Sequence, residues 1–361
     1  MSARRRIAGV AAGAVGVAVA GTAVGVVAHR RRVIARRGAG DTTPFGELRS
    51  EPFTVIADDG VPLHVEIDEY AAPSGRRRAR SVDGTALTLV FVHGFALNMD
   101  CWHFQRAGYR GLVRAVYYDQ RSHGRSGRSS AQNATIDQLG RDLARVLEEA
   151  VPEGPVVLIG HSMGGMTIFA LAEQHPELFG DRIVGVGLVA TTAGGLDPHR
   201  IVVPLMPSGL GRQLAMRLMA TLARGHRTVD SLRRAGRAIA SVFTDMFAFG
   251  DDVPASYVDF ADEMLSATPF EVLAEFFPDF GLMDKFDTVH TIGRVPTAII
   301  CGTADKMTSV GHSRKLHSRI EGSTLVECEG AGHLVIMERH DQVNAALDQL
   351  IAAAAEGVHS Q

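Results

Sequence analysis

The apolar positions of this 361-residue chain fall into short unbroken runs separated by longer amphipathic stretches. Pro155 to Ile159 is uncharged and rich in β-branched residues, which predicts a strand buried on both faces, as in a parallel sheet. Similar runs at 87–92, 115–119, 183–190, 296–302 and 324–328 predict further strands. Residues 52–57 and 61–68 flank Asp58-Asp59-Gly60 and alternate, with Val61, Leu63, Val65 and Ile67 on one face, as in a β-hairpin. Elsewhere the spacing is helical. Ile136, Leu139, Leu143, Val146 and Leu147 share one face of a helix, for which Thr135 and Gln138 resemble a capping box. A last helix is predicted over about 340–355. Strands alternating with helices predict an α/β architecture around a parallel sheet.

The alternation breaks over 197–285, where only helical periods remain. Leu214, Leu218 and Leu222 recur at four, and Leu232, Ile239, Val242, Phe243 and Met246 form a second stripe. Thr268-Pro269-Phe270-Glu271 predicts a helix start, with Pro at the first helical position. The block holds six of the 12 Met and eight of the 16 Phe, flexible and bulky residues that suit a pocket for apolar chains. It reads as a helical cap inserted into a core formed by 41–196 and 286–361. Phe276, Phe277 and Phe280, with Met283 behind them, exceed what one helix face buries, so some are expected to line an entrance.

The N-terminus differs from the rest. Residues 7–28 are 22 uncharged positions, about 33 Å as a helix, against roughly 30 Å of bilayer hydrocarbon. This predicts an N-terminal hydrophobic helix acting as a single membrane anchor within 1–40, with 38–51 as a turn-rich linker. A cleaved signal peptide is the competing reading, with export to the cell envelope. Three Arg precede the run and five follow it, which favours a membrane-associated protein with a cytoplasmic body. Gly9 with Gly13 and Gly21 with Gly25 would let two such helices approach as a homodimer. The first 37 residues hold eight Arg and no acid, leaving 29 basic against 40 acidic residues. An acidic body argues against nucleic acid as a partner. Arg76, Arg77, Arg78 and Arg80 mark a basic surface loop at 71–85. Cys101, Cys301 and Cys328 form neither a disulfide framework nor a metal pattern and read as free buried thiols. No metal and no organic cofactor is implied.

The chemistry centres on Gly160-His161-Ser162-Met163-Gly164-Gly165, directly after the run at 155–159. A serine between glycines at a strand-to-helix turn can present its hydroxyl in the open. The helix that follows leaves the N–H of Met163 for an oxyanion. A serine hydroxyl needs a base, itself oriented by a third group. His333, on the glycine-rich loop after the last strand, is the candidate base, and Asp305, after the strand at 296–302, is the candidate acid. Asp197 and His340 are the rival acid and base. The second oxyanion donor is expected from Phe95, after His93-Gly94. His161 is expected to point away from the serine and to pack.

His93-Gly94-Phe95, the glycine–serine turn, Gly302-Thr303-Ala304-Asp305 and Gly332-His333 in this order resemble the α/β-hydrolase superfamily, in its capped, lipase/esterase-like branch. Residues 119–126 are similar to a turn of that family, and the resemblance covers about 50–357. It implies an α/β-hydrolase fold, with a mostly parallel sheet of the eight-stranded type flanked by helices. It maps the nucleophile to Ser162, the acid to Asp305, the base to His333 and the oxyanion donors to Phe95 and Met163. It implies a serine hydrolase of small-molecule or lipid-like carboxylic esters. Thioester, amide or activated C–C bond hydrolysis, and a non-catalytic ligand-binding protein of this fold, stand as alternatives. Epoxide hydrolases and haloalkane dehalogenases of the family use an Asp where Ser162 stands, and the cap has a single tyrosine, Tyr257.

Overall fold

The computed structural model describes residues 44–71, 87–197 and 248–359. Eight strands form one sheet: β1 (Pro52–Ile56), β2 (Pro62–Asp68), β3 (Thr88–Val92), β4 (Arg114–Tyr118), β5 (Val156–His161), β6 (Ile183–Val189), β7 (Thr297–Gly302) and β8 (Thr324–Cys328). Their order is β1-β2-β4-β3-β5-β6-β7-β8. β1 pairs antiparallel with β2, and β2 antiparallel with β4; every later pair is parallel. Every residue of β3, β5 and β7 is buried, because helices cover both faces of a parallel sheet.

On one face lie α2 (Ile136–Ala150) and α3 (Met163–Gln174), with Val90, Leu158, Val186 and Leu188 beneath them. On the other lie α1 (His103–Tyr109) and α7 (His340–His359), over Phe91, Val157, Ile159 and Ile300. Between β7 and β8 runs α6 (Val310–His317). Gly185 and Gly187 of β6 give α7 room: a Cβ at either would stand 3.1 Å from Ala354 or Leu347. The capping box at α2 forms by half. Thr135 accepts from the Gln138 N–H at 3.2 Å, while the Gln138 side chain turns to Asp58 and Asp142.

Between β6 and β7 the chain leaves the sheet and returns at one point. Gly194 and Asp284 form an antiparallel bridge, and the Lys285 N–H donates to Ala193 at 2.7 Å. Within the excursion stand α4 (Ala255–Ala267) and α5 (Phe270–Phe280). Pro269 is the N-cap of α5 and not its first residue, and the Thr268 hydroxyl donates to the Ala96 carbonyl instead of capping. The stripes predicted over 214–246 lie outside the described residues, as do the N-terminal hydrophobic helix and membrane anchor expected at 7–28 and most of the basic loop at 71–85. Among the described residues no helix is long and apolar enough to cross a membrane.

Residues 44–50 are not the linker that their turn-rich composition suggests. Phe45 stacks on Phe260 of α4 with centroids 4.8 Å apart and meets His103, Phe104 and Tyr257 edge-on. Arg49 grips both oxygens of Asp100 at 2.5 and 2.7 Å. Ser50 joins a buried ionic cluster, donating its N–H to Glu66 beside Arg106, which also binds Asp68. Burial pushes the Glu66 carboxyl up, but hydrogen bonds from His64, the Ser50 N–H and Arg106 outweigh it and hold the pKa at about 2. A lowered acid stabilises the fold above its unfolded pKa and loses that contribution as pH falls toward the folded one. The stability deficit of Glu66→Gln, read by urea denaturation, should therefore be constant from pH 7 to about 5 and shrink below about 4.5. A deficit independent of pH would refute the ionic role.

Candidate active site

Five loops at the carboxyl ends of β3, β5, β6, β7 and β8 converge, as open α/β sheets place their ligand sites. Ser162 follows β5 directly, with φ 52° and ψ −117°. A non-glycine residue there costs on the order of 1–3 kcal/mol, so its surroundings must hold it. They do: its N–H donates to Val189 at 2.9 Å, and its carbonyl accepts from Gly165, Met166 and the Thr191 hydroxyl. Ala96 and Ala190, at φ 60° and 46°, are likewise non-glycine residues at positive φ on two neighbouring loops.

The glycines around Ser162 are required by close approach. A Cβ on Gly164 would stand 2.0 Å from the Val92 carbonyl oxygen, and one on Gly160 would stand 2.5 Å from the Gly164 backbone. Backbone cannot step aside as a flexible side chain can. Gly164→Ala is expected to cost about 3 kcal/mol or more, read as a lowered urea midpoint. An unchanged midpoint would contradict the packing of α3 against β3.

The structure brings Ser162, His333 and Asp305 together. The Ser162 hydroxyl lies 2.9 Å from His333 Nε2, and His333 Nδ1 lies 2.8 Å from Asp305 Oδ2. All three are at least nine-tenths buried, at 6, 5 and 5 % exposure. Asp305 Oδ1 accepts from the N–H groups of Met307 at 2.7 Å and Thr308 at 3.0 Å. The Thr308 hydroxyl is 2.8 Å from Oδ2 and 2.7 Å from the Ala190 carbonyl. Burial pushes the Asp305 carboxyl up. The charge and hydrogen bond of His333, with the Met307 N–H and Thr308, outweigh it and hold the carboxyl below its usual range.

The rivals fall elsewhere. Asp305, not Asp197, meets His333 Nδ1, and His340 stacks on Phe104 with centroids 4.1 Å apart. Phe95 and Met163 flank Ser162, and among the described residues neither of their amides meets a protein acceptor. Together Phe95, Leu97, His161, Ser162, Ala248, Leu265, Met307, His333 and Leu334 line a cleft of about 340 Å³ including its open mouth. The aromatic residues of α5 do not line it. Phe276 and Phe280 are buried against Phe95, at 6.3 and 4.8 Å between centroids, and so brace the loop after β3 from behind.

His161 corrects the sequence reading: it faces the cleft beside Ser162, and its Nε2 reaches the His333 carbonyl at 2.9 Å. Sequence reasoning also missed Glu338. Its carboxylate accepts from Gly332 at 2.6 Å, Gly250 at 3.2 Å and Asp251 at 3.3 Å, tying the loop of His333 to the segment returning from the cap. Its place on a short helical turn five residues after His333 is the only sequence signal, and it does not reveal partners at 250 and 251.

The sequence profile of the alpha/beta hydrolase family matches residues 89–346, which contain every residue of this cluster. The chain belongs to that family. It is 26 % identical over 266 residues to a 3-oxoadipate enol-lactonase of Acinetobacter baylyi, covering 73 % of this chain and 88 % of the other. It is 32 % identical over 162 residues to an esterase of Mycobacterium tuberculosis, covering 42 % and 51 %. A thermophilic esterase from Thermogutta terrifontis superposes with a TM-score of 0.64 at 20 % identity, over 85 % of this chain and 100 % of that one. That likeness carries the eight-stranded fold with its flanking helices.

Proposed function

We propose that the protein hydrolyses carboxylic esters through an acyl-enzyme on Ser162. The observation that carries this is the unbroken run from the Ser162 hydroxyl through His333 to Asp305, opening on an apolar cleft. Ser162 Oγ attacks the acyl carbonyl while His333 Nε2 takes its proton, and Asp305 holds the Nδ1–H and balances the imidazolium. The amides of Phe95 and Met163 receive the oxyanion. His333 then protonates the departing alcohol. Water, activated by the same imidazole, attacks the acyl group, and its proton passes through His333 back to Ser162. The enol-lactonase and esterase relatives support an ester over other bonds, a lactone being a cyclic ester.

The cleft's lining by Leu97, Ala248, Leu265, Met307 and Leu334 supports an apolar acyl group. Each buried methylene contributes about 0.8 kcal/mol, at most about a fourfold gain in specificity. Treatment with a fluorophosphonate should add the phosphonyl group to Ser162 with loss of fluoride, located by peptide mass spectrometry. On chromogenic esters of two to sixteen carbons, kcat/KM should rise from acetate until the cleft is full. Phosphonylation at another residue would overturn the nucleophile, and a steady fall from acetate would overturn the apolar acyl group.

A further inference from the structure

His161 ends β5 and is fully buried, yet the reaction above does not use it. Its ring touches three parts of the site. Nε2 lies 2.9 Å from the backbone carbonyl oxygen of His333, and a carbonyl only accepts, so Nε2 carries a proton. The two imidazole rings lie side by side, centroids 5.0 Å apart. On its other edge the ring abuts Gly94, in the loop that presents Phe95. A Cβ there would stand 2.7 Å from His161 Nδ1 and 3.2 Å from the Ser162 Cβ.

Nδ1 has no hydrogen-bond partner among the described residues. A proton on it would be a buried donor with nothing to receive it, so the surroundings select the neutral ring with the proton on Nε2. Burial, and after it the neighbouring His333, hold the pKa at about 3, so no second cation competes when His333 takes up its proton.

The loop around His333 is tied at other points, with the Ala331 carbonyl bound to Ala304, Gly332 to Glu338 and Leu334 to Ala248. The contact on the carbonyl of His333 itself comes from His161. Gly332 stands directly before it, so the backbone there has freedom that a bond must remove.

We propose that His161 is a positioning residue, whose Nε2–H grips the His333 carbonyl and fixes the base within reach of the Ser162 hydroxyl. The proposal rests on Ser162 as nucleophile and His333 as base. A displacement of about 1 Å in such a pair can cost on the order of 100-fold in rate.

Gln, Asn and Phe at position 161 separate this role from mere packing. A glutamine amide nitrogen reaches the place of Nε2, an asparagine amide stops near Nδ1, and phenylalanine fills the volume without a donor. His161→Asn and His161→Phe should each lower kcat on a chromogenic ester by about 10- to 100-fold, with KM within about threefold of wild type. Their fluorophosphonate labelling should slow in parallel. His161→Gln should recover kcat to within about threefold. Thermal melts confirm which variants fold, and either Asn or Phe suffices as the case with no donor at the place of Nε2. Wild-type kcat in a folded Asn or Phe variant would overturn the proposal, as would a folded Gln variant no faster than Asn or Phe. Failure of the underlying reading is separate: the wild-type protein would then carry the phosphonyl group on a residue other than Ser162.

Discussion

Ser162→Ala is expected to lower kcat on an activated ester by about 10⁶-fold, with the fold intact. The scale follows from serine hydrolases of the same chemistry, where the nucleophile acts as a unit with its base and cannot be partly replaced. The side chain is 6 % exposed and makes its hydrogen bond to His333 at 2.9 Å, so alanine removes an oxygen without opening a cavity of consequence. The strain is in the backbone at φ 52°, and the bonds of that backbone to Val189, Gly165 and Met166 do not involve the hydroxyl. The variant should therefore keep its urea midpoint, lose fluorophosphonate labelling and still bind ester products in the cleft. Residual hydrolysis above background, from the amides of Phe95 and Met163, is compatible with this. Turnover within tenfold of wild type would place the nucleophile elsewhere.

The strand-to-helix turn at Ser162 was legible because three independent signals coincide at one place. The run at 155–159 has no charge, the glycines sit at 160, 164 and 165, and the helix beyond opens on a mostly apolar stretch, which α3 buries from Met163 to Ala172. Asp305 and His333 were legible by their position after strands, since a parallel sheet brings the ends of its strands to one edge. His161 was misread because alternation along a strand does not extend through a residue at positive φ. The turn at Ser162 rotates the phase, and both side chains reach the cleft. The segment at 44–50 was misread for another reason. Pro44 and Gly46 have the local chemistry of a linker, but Phe45 finds its partners at 103, 104, 257 and 260, and no local pattern carries contacts of that range. The phenylalanines of α5 were misplaced because clustering reports burial without saying against what; Phe276 and Phe280 brace Phe95, and it is Phe95 that lines the cleft.

Asp305→Asn is expected to cost about 10⁴ in turnover, the loss that follows when the equivalent acid of a serine protease is made an amide. The geometry here says why the amide is trapped in the wrong orientation. Oδ1 receives two backbone N–H groups, from Met307 and Thr308, so the asparagine oxygen must take that place. Its NH₂ then occupies the place of Oδ2, 2.8 Å from His333 Nδ1. Two donors cannot face each other, so Nδ1 gives up its proton and the ring holds it on Nε2. That proton points at the Ser162 hydroxyl, and the ring can no longer accept from it. The loss should appear in kcat and in the rate of fluorophosphonate labelling alike, with KM little changed, because the substrate does not touch Asp305. Flipping the amide would restore the tautomer only by setting NH₂ against two amide N–H groups in a site 5 % exposed, where unpaired donors are costly. Asp197→Asn, the parallel change on the loop after β6, should leave turnover within about threefold. A large loss there, with Asp305→Asn near wild type, would move the acid to that strand.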